Sequence, residues 1–103
     1  MARAVAWAQA AVDDLDAAVE FVARASESLA ATLARDAIEA SRSLSQFAER
    51  GRVVPEVGHP QLRELFVRAH RMIYRVQKED VTIVALFHGR RDFDTAWRER
   101  AGR

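Results

Sequence analysis

The chain has 103 residues, 50% of them hydrophobic, with 16 basic against 15 acidic residues and no cysteine; this is the composition of one small globular domain rather than a disordered or disulfide-stapled chain. A chain of this size buries roughly two thirds of the surface its unfolded form exposes, so a single apolar core has to hold it without cross-links or a thiolate-bound metal. No uncharged apolar run approaches the ~20 residues that span a bilayer and the N-terminus lacks a basic segment followed by an apolar core, so no membrane partner and a cytoplasmic location are expected.

The opening Arg3-Ala4-Val5-Ala6-Trp7 alternates polar or small residues with larger apolar ones, as a short strand with one buried face does. From Gln9 the period changes. Val12, Leu15, Val19 and Val22 fall at helical spacing, while Asp13, Asp14, Asp16 and Glu20 take other positions, which predicts an amphipathic helix to about Ala25. Ser26, followed by Glu27 and Ser28, offers cap chemistry, and Leu29, Leu33, Ala37, Ala40, Leu44 and Phe47 extend a second apolar pattern, so a second helix is expected to end near Gly51. Its alanine content suits close packing as a helical hairpin over about 9–50. Neither helix carries a His-x-x-x-His pair, and their apolar stripes suit a scaffold, with no metal or cofactor implied.

Gly51 to Pro60 gathers two glycines and both prolines of the chain, which predicts a connecting loop. Three segments of strand character follow, Leu62 to Arg68, Arg71 to Gln77 and Val81 to His88, and the short connections between them predict an antiparallel meander over about 62–88. The last, Val81 to Phe87, is nearly all apolar, as a strand buried on both faces is. In the middle strand, Met72, Tyr74 and Val76 alternate with Arg71, Ile73 and Arg75. The tail over 89–103 has Asp92 or Asp94 available to cap a short helix, on which Phe93 and Trp97 share a face that either docks on the domain or awaits a partner. The expected architecture is α+β, a helical hairpin on a small twisted antiparallel sheet in the order β-α-α-β-β-β with a helical tail, in one domain over 1–103.

The small net charge conceals a division. Residues 1–50 carry five arginines against eight acids, whereas residues 51–103 carry ten arginines and Lys78 against seven acids, so the halves stand at −3 and +4. The second half suits an anionic or acidic partner, since the planar guanidinium fork matches phosphate and carboxylate.

Four local patterns resemble the RelE/ParE toxin superfamily of bacterial type II toxin-antitoxin systems. They are the Val5-x-Trp7 strand followed by an acidic Asp13-Asp14-Leu15 helix; the loop Gly51-Arg52-Val53-Val54-Pro55-Glu56; the hairpin from Leu62-Arg63-Glu64-Leu65 through His70-Arg71-Met72-Ile73-Tyr74-Arg75-Val76; and the closing His88-Gly89-Arg90-Arg91-Asp92. Together they cover about residues 3–93. The resemblance implies a toxin neutralised by a cognate antitoxin protein, with operator DNA met only through that antitoxin. It also implies one of two targets: proteins similar to RelE cleave messenger RNA on the ribosome, and proteins similar to ParE inhibit DNA gyrase.

A ribonuclease of this kind needs a base, a phosphate-binding arginine and an acid. By resemblance to the YoeB-like toxins these would be Glu56, Arg71 and His88, with Arg75 on the same strand face as Arg71. The same residues also suit structural roles: Glu56 as an acid paired with an arginine, Arg71 and Arg75 as ion-pair partners on a sheet, His88 as a partner for a backbone group. Against the enzyme stand the single lysine, the proton-inert Phe93 where RelE-like enzymes have an aromatic acid or base, and a charge of only +1 for a polyanionic target. The Gly-Arg-Val-Val-Pro-Glu loop and the His-Gly-Arg-Arg-Asp ending resemble ParE sequences more closely. The expectation is therefore a ParE-like gyrase inhibitor, with Arg71, Arg75, Arg90, Arg91, Phe93 and Trp97 as candidate contacts to target or antitoxin. An mRNA endoribonuclease is the alternative, and a degenerate toxin that retains only antitoxin binding is the second alternative.

Overall fold

The computed structural model describes residues 2–101. Its elements run β1 (Ala4–Trp7), α1 (Gln9–Ala23), α2 (Glu27–Ser43), β2 (Arg52–Val53), β3 (Leu62–Val67), β4 (His70–Val76), β5 (Asp80–His88) and α3 (Phe93–Ala101). The five strands form one sheet in the order β1-β5-β4-β3-β2. The meander β3-β4-β5 is antiparallel throughout, with Leu65 opposite Met72 and Met72 opposite Leu86. β1, however, lies parallel to β5, Val5 opposite Val81, which makes the sheet mixed where antiparallel pairing was expected. Two helices separate β1 from the other strands, so no tight turn dictates its direction. No helix among the described residues is long and apolar enough to cross a membrane.

The second helix of the hairpin begins where its sequence signal indicates, whereas α1 starts after Ala8 with no side-chain cap. Ser26 sits in extended geometry and its Oγ accepts the N–H of Leu29 at 3.2 Å, satisfying one of the orphan donors at the start of α2. The second helix stops at Ser43, however, short of Gly51. The hydroxyls of Ser41 and Ser43 donate to the carbonyls of Ile38 and Ala40, and the N–H groups of Leu44 and Ser45 turn to the carbonyls three residues back. Local bonding of this kind competes with the helix and tightens its last turn. Leu44 still reaches the core, but Phe47, expected on the buried stripe, is 66% exposed.

The loop of residues 51–60 also holds the short β2, which pairs Arg52 with Glu64 and Val53 with Arg63 before Pro55 ends it. Gly51 is required there by close approach: a Cβ at this position would press on the carbonyl of Glu64 and stand 2.5 Å from the Tyr74 hydroxyl. That hydroxyl accepts the N–H of Gly51 at 3.0 Å and donates to the carbonyl of Ala48 at 2.8 Å, tying the end of the hairpin to the centre of the sheet. Between β3 and β4 the chain turns through Arg68 and Ala69, and Arg68 adopts a φ of 53°. A left-handed conformation in a residue with a Cβ costs about 1–2 kcal/mol.

Two apolar clusters lie on opposite faces of the sheet. Against the hairpin, Ala11, Leu33, Ala37 and Leu44 meet Met72, Tyr74, Val81, Ile83 and Leu86. On the other face, Phe93 and Ala96 of α3 cover Ile73, Ala85 and Phe87. Strict alternation would put Val81, Ile83, Ala85 and Phe87 on one face. A break in the β4–β5 register, where Ile73 faces Ala85 but Tyr74 faces Ile83, leaves Val84 as an extra residue and reverses the parity beyond it. Hence Val81 and Ile83 point to the hairpin, and Ala85 and Phe87 point to α3.

Candidate functional site

The face under α3 concentrates charge. On adjacent strands, Glu64 of β3 stands beside Arg71 of β4 and Arg52 of β2, because the register puts all three side chains on this face. The Glu64 carboxylate is fully buried; it accepts the Nε–H of Arg71 and the Nε–H of Arg52, each at 2.6 Å. Arg71 also grips Glu56 with both terminal nitrogens, at 3.0 and 2.8 Å, and its guanidinium lies 4.6 Å from the centre of the Phe93 ring. Arg71 is 8% exposed, so its charge is held in place by two carboxylates and an aromatic face. The hydrogen bond from Arg71 holds the Glu56 carboxyl below the usual range, and Glu56 in turn raises Arg71 above its ordinary value. Both groups remain ionised at neutral pH.

His88 is placed apart from this cluster. It pairs with His70 across β4 and β5, and the two rings meet edge-on at 5.2 Å on the side of the sheet that faces the hairpin. The Nδ1 of His88 accepts the backbone N–H of Arg90 at 3.1 Å. The three residues a ribonuclease of this superfamily would align are therefore divided between the faces, Glu56 and Arg71 on one and His88 on the other. Arg75 shares the face of Arg71, as period 2 requires, but is exposed and makes no ion pair among the described residues. It borders a small cleft with Leu62, Val57 and Trp97.

The two arginines after β5 differ. Arg90 is exposed and its side chain is free of ion pairs among the described residues. Arg91 reaches Glu99 at 2.8 Å and lies 5.3 Å from the Phe87 ring centre. The aromatic pair of the tail docks on the domain: Phe93 is 5% exposed, Trp97 is half-buried, and their rings stack at 5.6 Å. Asp92 caps α3 by accepting the hydroxyl and then the N–H of Thr95, and these bonds, the hydroxyl's first, lower its pKa.

Sequence reasoning missed four participants: Glu64, His70, and the pair Asp14 and Arg100. Arg100 of α3 donates to both carboxylate oxygens of Asp14 on α1 at 2.7 Å, over a separation of 86 residues that no local pattern signals. Glu64 had one visible signal, its position at period 2 between Leu62 and Phe66, but the arginines opposite it depend on strand register. Buried His70 has no hydrogen-bond partner for its Nδ1 among the described residues. Its pKa is lowered by burial first and by the neighbouring His88 second.

On the hairpin side, beside the end of β5, lies a cavity of about 490 Å³ walled by Asp14, Ala17, Ala18 and Phe21 of α1 and by Leu86 and His88. Phe21 is 70% exposed at its rim. Large apolar side chains left at the margin of a concave apolar surface are a feature of protein-binding sites. No group of three or more side chains among the described residues is arranged to hold a metal ion.

Comparison with known proteins adds to this geometry. No curated protein matches the chain significantly. Among solved structures, a chain of the chromosomal ParDE toxin-antitoxin system from P. aeruginosa shares the fold, with a TM-score of 0.68 at 24% identity over 84% of this chain and 95% of that one. The model of the family described as "ParE toxin of type II toxin-antitoxin system, parDE" matches residues 5–93, which include the hairpin and, but for Ala4, all five strands. The chain belongs to the ParE toxin family of type II toxin-antitoxin systems.

Proposed function

We propose that this chain is a toxin that acts in the cytoplasm by binding and inhibiting DNA gyrase rather than by cutting RNA, and that a cognate antitoxin neutralises it. The observation that carries this reading is the separation of Glu56 and Arg71 from His88. A general base and acid have to flank one reacting phosphate within hydrogen-bond reach. Here the carboxylate is occupied by Arg71 and the imidazole lies on the other side of the sheet. Membership of the ParE family supports the same reading. The side chains of Arg75 and Arg90, which make no ion pair among the described residues, together with Arg91 just after β5, are the contacts proposed for the target or the antitoxin.

Induction of the chain without its antitoxin, followed by separate readouts of the DNA-damage response and of messenger RNA within translated codons, tests this. The expected outcome is a damage response with intact message, and loss of supercoiling activity when purified gyrase is mixed with the protein. Codon-specific cleavage abolished by Arg71→Ala or His88→Ala would overturn it in favour of the endoribonuclease. Absence of any growth arrest would point to a degenerate toxin that keeps only antitoxin binding.

A further inference from the structure

The cleft beside Arg75 lies on the α3 face but takes in neither Glu56 nor Arg71. Its volume is about 290 Å³, near the lower end for small-ligand sites, and it is lined by Val57, His59, Gln61, Leu62, Arg75 and Trp97. Strand register brings Arg75 here: it stands opposite Leu62 of β3 and Thr82 of β5, on the side of β4 that α3 covers.

The walls are set before any ligand arrives. Val57 and Gly58 both donate their N–H groups to the carbonyl of Val54, at 3.1 and 2.8 Å, and Gly58 completes that turn at a φ of 72°. Leu62 donates to the carbonyl of His59 at 3.0 Å and Val76 to that of Gln61 at 2.8 Å, which fastens the loop to the end of β4. Trp97 is held by its stack on Phe93, the two planes 14° apart. A preformed site loses little binding energy to ordering.

The polar groups of the cleft are almost all donors. Arg75 and Trp97 carry side-chain N–H groups and no acceptor. The Nδ1 of His59 accepts the N–H of Gln61 at 3.1 Å, so the proton of the neutral ring is on Nε2, a further donor. No carboxylate lines the cleft among the described residues, and Arg75 makes no ion pair among them. Such a set calls for an anionic ligand rich in acceptors. The shape of the groups narrows it further, because indole, imidazole and guanidinium are all flat and stack on nucleobases. An aliphatic acid would satisfy the donors but leave these planes unmatched.

We propose that this cleft binds a nucleoside monophosphate, with the phosphate on Arg75 and the Nε2 of His59 and the base against Trp97. The nucleotide is held without reaction, because Glu56, Arg71 and His88 all lie outside the cleft. A free nucleotide and the phosphorylated end of a single strand present this same chemistry. The site does not depend on which protein the toxin acts on.

The test titrates the purified full chain with adenosine monophosphate, with adenosine and with inorganic phosphate, by calorimetry and by the NMR signal of the Trp97 indole N–H. The nucleotide is expected to shift that signal and to bind at least about tenfold more tightly than adenosine or phosphate, since the stacked base and the charge-assisted phosphate contact each contribute about a tenfold gain. Arg75→Gln, at an exposed position, should weaken nucleotide binding about tenfold, and Trp97→Leu, which keeps an apolar cover over the sheet, should do the same. If Trp97→Leu unfolds, Arg75→Gln decides. A short single strand with a terminal phosphate that binds more tightly than the nucleotide marks a strand end as the source, and one that binds no more tightly marks the free nucleotide. Phosphate binding as tightly as the nucleotide, an affinity unaffected by Arg75→Gln, or no binding of the nucleotide at millimolar concentration overturns the proposal.

Discussion

The two faces of the sheet are built on different physics. The hairpin face is apolar and wide, with Leu33, Ala37 and Leu44 closing on Met72, Ile83 and Leu86, and its specificity comes from shape. The α3 face is narrower. Phe93 and Ala96 cover Ile73, Ala85 and Phe87, and beside this small cluster lies the ionic group of Glu64, Arg71, Arg52 and Glu56. Burying a large apolar side chain contributes about 1.5–3 kcal/mol whatever its neighbours, whereas a buried charge is tolerable only while its partner is present. One face should therefore respond to mutation in proportion to volume, and the other should respond to imbalance of charge.

The largest effect is expected from Glu64→Ala, which leaves Arg71 and Arg52 without their buried carboxylate. Breaking such a group costs about 3–5 kcal/mol, read as a lower urea midpoint at an unchanged slope. The double change Glu64→Leu with Arg71→Met removes the two buried charges together, leaving the more exposed Arg52 and Glu56, and should recover most of that loss. If the double variant is no more stable than Glu64→Ala, the ionic account of this face is wrong.

On the hairpin face the response should be graded instead. Ile83, fully buried, should cost about 2–5 kcal/mol on truncation to Ala and about 0.5–1.5 kcal/mol on truncation to Val. An equal cost for the two would mean that a constraint other than packed volume governs this face.

The smallest effect separates the faces by pH. His70, on the hairpin side, is held below its ordinary 6.5 by burial, so the unfolded chain takes up a proton before the folded one does. Its contribution to stability is complete above about 6.5, falls as pH drops from there toward the lowered native value, and then levels off. Glu56, on the other face, is held below 4.5 by Arg71; its contribution is present above 4.5 and is lost as pH falls through its lowered native value. Urea midpoints measured against pH should show two successive declines. His70→Gln should erase the upper one and leave the lower, and a profile unchanged by that substitution would exclude His70 as its source.

Much of the architecture was legible because it is local. Ser26 signals a cap by chemistry that acts over three residues, and the hairpin positions Leu33 and Ala37 declare their face by spacing alone. Alternation in β4 separates Met72 and Tyr74 from Arg71 and Ile73 for the same reason. The end of α2 was harder to read, because the apolar pattern continues to Phe47 while serine hydroxyls turn the backbone out of the helix at Ser43. The ionic site was half legible. Glu56 and Arg71 stood out, and each was a candidate for an ion pair, but nothing in a linear string reports that they pair with each other or that His88 points elsewhere.

What the sequence determined by itself was therefore the set of elements, their amphipathic faces and the superfamily they resemble, since capping, periodicity and turn chemistry act between residues close along the chain. Tertiary structure alone decided the direction of β1, the parity reversal at Val84, the burial of Glu64 between two arginines and the Asp14–Arg100 pair between α1 and α3. Each of these depends on register between segments distant in sequence, and register is set by the packing of the whole sheet, because a shift of one residue exchanges the faces of an entire strand.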